Sequence, residues 1–139
     1  MTRQTLRRPT EAVDLAALRT DQIEALTTAQ FVALTSNQLV ALTTEQVQAL
    51  TVQQVANLTT AQVAALQTAD LLVLTSAQIA ALTVAQVQAL GTAQIAALTT
   101  AQVSSLSTDQ LAAVKTAQLA SMETADFAAI TTAQISALT

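Results

Sequence analysis

The chain has 139 residues, of which 52% are hydrophobic, 10% are charged and 1% are aromatic. It contains no Cys and no His, which excludes a disulfide framework, a thiolate or imidazole metal site and a cysteine nucleophile, and removes the commonest general base. The formal net charge of −4 argues against a nucleic-acid partner, because phosphate binding needs clustered Lys and Arg.

The first predicted region is residues 1–9, which contain Arg3, Arg7, Arg8 and Pro9. No apolar segment follows these arginines, so we expect no cleavable signal peptide. We interpret the region as an N-terminal arm, or as a polar cap on the array that follows, in preference to a nucleic-acid-binding arm. Thr and Gln interrupt every apolar run further along the chain, so no membrane span is predicted.

The second predicted region is residues 10–139, in which sixteen eight-residue repeats (octads) follow one another without an insertion from Thr10 to Ala137. A representative octad is residues 58–65, Leu-Thr-Thr-Ala-Gln-Val-Ala-Ala, whose positions we number one to eight. Position one is almost always Leu, position six is always apolar and position eight is mostly Ala. These three positions are predicted to be buried. Positions two, four and seven are predicted to face solvent, and position five is nearly always Gln.

The octad spacing fits neither one long helix nor a strand. Eight residues over two turns give about 4.0 residues per turn, away from the 3.5 or 3.67 that coiled coils need, so the apolar stripe would move around a straight helix. Positions one and six have opposite parity, so one pleated face of a strand cannot bury both.

Each octad instead carries the signals of a helix start. Thr at position two and Gln at position five have the spacing of a capping box, and the apolar residues at positions one and six form a hydrophobic staple. Acidic residues such as Asp21 and Glu45 fall in the first turn, where the helix dipole favours them. Where position two is not Thr, as at Gly91, the Thr at position three is an alternative cap.

The pattern therefore predicts an all-α solenoid with one helix of about one and a half turns per octad. Such short helices are unstable alone, so stacked coils must bury their apolar faces. A coil of two octads needs almost complete chain reversal, whereas a coil of three octads needs only corners. The scarcity of Gly, the usual helix stop, favours three octads. A coil of three octads is also favoured by the unusual residues at position two, which are separated by multiples of 24 residues: Arg19, Gln67, Gly91 and Lys115.

The position-five residues suggest two kinds of role. The Gln side chains are interpreted as capping boxes or as a ladder between coils, in preference to an array that reads a polymer. Asp14, Asp70 and Asp126 replace Gln at this position and are interpreted as caps, because no second carboxylate accompanies them in a recognisable motif. Their spacing fits neither a two-octad nor a three-octad coil. We predict no enzyme, no catalytic, cofactor-binding or metal-binding residue, no cofactor and no small-molecule substrate.

Two features favour self-association. Asp70 is the only charged residue between Gln46 and Thr108, so repulsion between chains is weak. The octads continue in register to Leu138 and Thr139 without a polar capping unit. We expect either a longer array or end-to-end stacking into a head-to-tail fibre. The alternatives are a surface-binding protein whose Thr rows contact ice or a glycan, and a concave protein-binding solenoid.

Residues 98–103 and 81–87, Leu-Thr-Thr-Ala-Gln-Val and Ala-Leu-Thr-Val-Ala-Gln-Val, resemble the Thr/Ala/Gln-rich octapeptide tracts of some large bacterial secreted and surface proteins. The resemblance covers residues 18–139 and transfers no catalytic residue. It implies a bacterial spacer, stalk or fibre-forming segment that is extracellular or located at the cell surface.

Overall fold

The computed structural model describes residues 15–136. The predicted arm or cap, residues 1–9, lies outside this range. Within the range the chain is helical apart from turns, and it has no strand. Between residues 20 and 136, fifteen helices of five or six residues follow one another, one per octad, which confirms the predicted all-α class and the predicted helix length.

The helices begin at position three of each octad and end near position seven or eight. In chain order they are α1 Thr20–Glu24, α2 Thr28–Val32, α3 Ser36–Val40, α4 Thr44–Gln48, α5 Val52–Ala56, α6 Thr60–Ala65, α7 Thr68–Val73, α8 Ser76–Ala80, α9 Val84–Ala89, α10 Thr92–Ala96, α11 Thr100–Ser105, α12 Thr108–Ala112, α13 Thr116–Ala120, α14 Thr124–Ala129 and α15 Thr132–Ser136.

The predicted capping box starts these helices. At α3, the Gln38 backbone N–H donates to Thr35 Oγ1 at 3.2 Å, and the Thr35 backbone N–H donates to Gln38 Oε1 at 2.7 Å. Position two remains the cap even at Gly91, whose N–H donates to Gln94 Oε1 at 2.7 Å. The alternative cap at position three is therefore wrong, because the glutamine half of the box does not depend on the side chain at position two.

Consecutive helices meet at corners built from two extended residues. After α6, Leu66 has φ −60° and ψ 138°, and Gln67, the next N-cap, has φ −76° and ψ 156°. No residue within 15–136 has a positive φ, and Gly91 has φ −74°. The scarcity of Gly predicted corners in place of complete chain reversals. This prediction is confirmed, because these helices end without a left-handed residue.

The coil contains three octads. Each helix packs against the helix three places further along the chain, from α1 against α4 to α12 against α15. Helices that stack on one another therefore start three octads apart, as Thr20 of α1 and Thr44 of α4 do. The preference for three octads per coil is confirmed, and the two-octad coil is wrong.

The hydrophobic core runs along the whole stack and is built from positions one and six, as predicted. Ile79 at position six is 0% exposed and Leu82 at the next position one is 4% exposed. Position eight departs from the prediction, since Ala65 and Ala89 are only half-buried and Ala33 is exposed. This residue lies at the end of the helix, at a corner of the coil, where the neighbouring coils cover it only in part.

No helix within residues 15–136 has the length and apolarity to cross a membrane.

Candidate functional site

The glutamine at position five joins one coil to the next. Gln86, in α9, is 2% exposed. Its Oε1 accepts the Thr83 backbone N–H at 2.7 Å, which caps its own helix. Its Nε2 donates to the carbonyl oxygen of Val55 at 2.9 Å and to that of Leu58 at 2.7 Å. Val55 lies in α5 and Leu58 at the corner before α6, so the amide pairs with the end of a helix and with a corner in the preceding coil.

We call this arrangement the glutamine bridge. The amide donates to carbonyls 28 residues earlier and, in most cases, 31 residues earlier. The bridging residues are Gln46, Gln54, Gln62, Gln78, Gln86, Gln94, Gln102, Gln110, Gln118 and Gln134. The two structural roles predicted for Gln, a capping box and a ladder between coils, are both filled by one side chain. Each bridge satisfies buried polar groups that would otherwise be costly to bury.

Two aspartates at position five cap their own helices as the glutamines do, but they do not donate a hydrogen bond to the preceding coil. Asp70 and Asp126 accept the backbone N–H of Gln67 at 3.3 Å and of Glu123 at 3.4 Å, respectively, as predicted for caps. An ionised carboxylate has no proton to donate to the preceding coil. Burial raises the pKa of Asp70, and the hydrogen bond from Gln67 opposes this rise only in part. Asp14, the third predicted cap, lies outside the described residues.

One side of the solenoid differs from the other two. We call the side formed by α1, α4, α7, α10 and α13 the variable side, since it carries all four unusual position-two residues that recur at multiples of 24. It also carries Glu45, and Arg19 Nε donates to Asp21 Oδ1 at 3.1 Å. This hydrogen bond lowers the pKa of the exposed Asp21 carboxyl. Between residues 26 and 106 the other two sides contain no charged residue.

The variable side also carries an unbroken row of threonines. Position three is an exposed Thr in each of its helices, at Thr20, Thr44, Thr68, Thr92 and Thr116. The corresponding rows on the other two sides are interrupted by Val52 and Val84, which are 45% and 42% exposed. Thr hydroxyls in this row do not cap their helices, because the caps are at position two.

The two ends of the described stack expose residues that are buried everywhere else. At the N-terminal end Gln30 is exposed and Gln22 is half-buried. At the C-terminal end Phe127 and Ile135 are 42% and 49% exposed, whereas position six is fully buried in α1 to α12, as at Leu111.

Within residues 15–136, no group of three or more His, Cys, Asp or Glu side chains is placed to hold a metal ion.

A chain of one repeated helical unit, in which each coil contacts only the coils beside it, is a solenoid repeat protein. A family model described as the ALTTAQ repeat matches residues 11–44, 31–60, 63–100, 85–116, 95–124 and 106–139. The chain therefore belongs to the ALTTAQ repeat family. A search of curated proteins and a search of solved structures each found no significant match.

The family match confirms the predicted repeat-tract character of the chain. Together, the repeat family and the repetitive helical fold point to a non-catalytic module that serves a structural or binding role.

Proposed function

We propose that this chain is a rigid, non-enzymatic structural module that joins other modules end to end in fibres or serves as a stalk. The observation that carries the proposal is the recurrence of the glutamine bridge along the stack, from Gln46 to Gln134. Each bridge fixes one coil against the preceding coil at a backbone carbonyl 28 residues earlier, and in most cases also at one 31 residues earlier. The length of the solenoid is then set by the number of octads, which is the property that a spacer requires.

Two further features support rigidity. The core is continuous from Leu15 to Ile130, so no junction between coils lacks buried apolar contacts. The corners contain extended residues and no left-handed glycine within the described range. A hinge between coils would have to break both the core and a buried hydrogen bond.

Duplication of two coils tests the proposal. Repeating residues 58–105 in tandem adds six octads, which start at a Leu in position one and end at position eight. We expect the added coils to lengthen the particle by about 16–20 Å, because stacked helices lie about 8–10 Å apart. Small-angle X-ray scattering measures the maximum dimension and the radius of gyration of the cross-section.

The cross-section should stay unchanged in the duplicated chain. A larger cross-section would contradict a rigid module whose length follows the number of octads. So would scattering from a flexible chain whose helix content per residue is unchanged. The matched control inserts half an octad after residue 81, which breaks the register of the bridge. This insertion is expected to lower the unfolding temperature, and the whole-coil duplication is not.

The proposal includes the division into an arm or cap, residues 1–9, and an array, residues 10–139. It also includes a bacterial origin and a location outside the cell or at its surface. The support for both is the resemblance to tracts of large bacterial secreted and surface proteins. Antibody labelling of the producing cells, intact and after permeabilisation, tests the location. Labelling only after permeabilisation would contradict a surface stalk.

A second candidate function, binding to an ordered surface such as ice, is favoured by the unbroken threonine row of the variable side. If the row binds, replacing Thr68 and Thr92 with Lys should abolish thermal hysteresis of the chain. Replacing Thr60 and Thr100, exposed at the same position on the other two sides, should leave the hysteresis unchanged. An unaltered chain without thermal hysteresis, or equal loss in both variants, would reject this candidate.

A further inference from the structure

We propose that the junction between α4 and α7 is a pH-sensitive joint, at which the solenoid opens most readily at neutral pH and which acid closes. We call it the Asp70 junction, after the residue at position five of α7. It consists of the contact of α7 with α4 and with the corner at residues 39–42, which precedes α4. The inference goes beyond the proposed structural role, because it concerns which junction of the stack opens first, whatever the chain connects.

The Asp70 junction lacks the bond that closes the other junctions on its side of the solenoid. On the variable side, Gln46, Gln94 and Gln118 each donate from Nε2 to a carbonyl oxygen 28 residues earlier, at 2.7, 2.8 and 2.6 Å. The same register joins position 70 to the carbonyl oxygen of Leu42, to which no group within residues 15–136 donates a hydrogen bond. Of the four junctions that α1, α4, α7, α10 and α13 form with one another, this one is therefore without a glutamine bridge.

The missing bond leaves a buried carboxylate without an opposite charge beside it. Asp70 accepts the backbone N–H of Gln67 at 3.3 Å, but an ionised carboxylate has no proton to donate to a carbonyl. The helices that pack against α7 are α4 and α10. Within them the charged residue is the exposed Glu45 of α4, and α10 carries none. Because Glu45 has the same sign as Asp70, the closed junction buries a charge that no neighbour offsets.

The apolar core still holds the Asp70 junction together. Leu71 and Leu74 are buried at positions six and one, as their counterparts in the other coils are. Opening at this junction is therefore a local event, in which α7 leaves the core while the bridged junctions on either side stay closed. A helix as short as α7 does not persist without its packing, so opening also breaks its backbone hydrogen bonds.

Acid removes the electrostatic cost of closing the junction. Burial raises the pKa of Asp70 above its ordinary value of 3.8, and the hydrogen bond from Gln67 opposes this rise only in part. In the open junction the carboxyl lies in water and has its ordinary pKa. The charged form therefore favours opening at neutral pH. The free energy of opening increases as the pH falls through the raised pKa, and it levels off below the ordinary value.

Hydrogen exchange of the amides at position six tests the inference in the full chain. The Leu71 N–H donates to the carbonyl oxygen of Gln67 at 3.1 Å, and the Ile95 N–H donates to that of Gly91 at 3.0 Å. Both leucine and isoleucine are buried on the variable side, but only the helix of Ile95 is bridged to the preceding coil, through Gln94. NMR spectroscopy measures the protection factor of each amide, which corrects for the effect of pH on the intrinsic exchange rate.

At about pH 7 the protection factor of Leu71 should be about tenfold or more below that of Ile95. This difference should shrink when the pH is lowered to about pH 4. Asp70→Gln should bring the protection of Leu71 close to that of Ile95 at both pH values. Gln94→Asp should create a second weak junction, at which the protection of Ile95 falls at neutral pH and recovers in acid. The matched control is Asp109→Gln, the same change at an exposed position, which should leave both amides unaltered.

Equal protection of Leu71 and Ile95 at neutral pH in the unaltered chain would overturn the inference. So would a difference that does not change with pH, or one that persists in Asp70→Gln. If Gln94→Asp fails to fold, the unaltered chain and Asp70→Gln still decide the question, because a glutamine at position five is the residue that the other coils already accommodate.

Discussion

Gln86→Glu is expected to destabilise the chain by about 3 kcal/mol or more at neutral pH, the cost of a buried charge whose partners cannot donate to it. The new carboxylate can still accept the Thr83 N–H, so the cap is retained. It cannot donate to the carbonyls of Val55 and Leu58, which would face it at hydrogen-bonding distance. Urea unfolding followed by circular dichroism measures the loss.

The matched control is Gln30→Glu, the same substitution at an exposed glutamine whose amide makes no bond to another coil within the described residues. It should change stability by less than about 0.5 kcal/mol, as surface substitutions usually do. Burial raises the pKa of the carboxyl introduced at position 86 above its value in the unfolded chain. The loss should therefore be present at neutral pH and shrink as the pH falls through that raised pKa, where the protonated group donates again. An equal loss of unfolding free energy in Gln86→Glu and Gln30→Glu would contradict a stabilising role of the glutamine bridge.

Asp70→Gln is expected to stabilise the chain by about 1–3 kcal/mol at neutral pH, because an amide replaces a buried carboxylate and gains partners. Asp70 is 2% exposed, and within the described residues its carboxylate accepts only the cap hydrogen bond from the Gln67 backbone N–H. A glutamine there would stand in the register of the bridge to Leu42 and Leu39, and would donate to their carbonyls. Thermal and urea unfolding of the two chains measure the gain.

The gain should depend on pH. Burial raises the pKa of Asp70 above its ordinary value of 3.8, so ionised Asp70 opposes folding at neutral pH. Acidification through the raised pKa removes this penalty, which is gone below the ordinary value. The advantage of Asp70→Gln should therefore decrease from neutral pH to about pH 3.5. Asp109→Gln, at an exposed position, should give no comparable gain. An advantage that is constant over this range of pH would contradict the role given to the buried carboxylate.

The local parts of the fold could be predicted from the sequence because their signals lie within one octad. The capping box joins residues three apart, and the staple joins positions one and six, so Thr35 and Gln38 suffice to predict where α3 begins. The coil size could also be predicted, because Arg19, Gln67, Gly91 and Lys115 recur at multiples of 24. These residues lie on one side of the solenoid, where the cap does not depend on Thr.

The second half of the bridge could not be predicted in detail, because the partner of each amide depends on how coils stack. Nothing near Gln86 in sequence indicates that the carbonyl oxygens of Val55 and Leu58 accept hydrogen bonds from its amide. The exposure of Phe127 and Ile135 was also not predictable, since both residues fit position six as well as the buried Ile79 does. The spacing of Asp70 and Asp126 has no structural counterpart, because α7 and α14 do not stack on one another.

The distance between spin labels at positions 61 and 133 tests the three-octad coil most directly. Both are exposed alanines at position four, nine octads apart, and the chain has no native Cys to be labelled by mistake. Coils of two octads would separate the labels by about 36–45 Å at about 8–10 Å per stacked helix, and an unbroken helix would separate them by about 108 Å. Three coils of three octads predict a double electron–electron resonance distance of about 24–30 Å, and a distance above about 36 Å would contradict the stack.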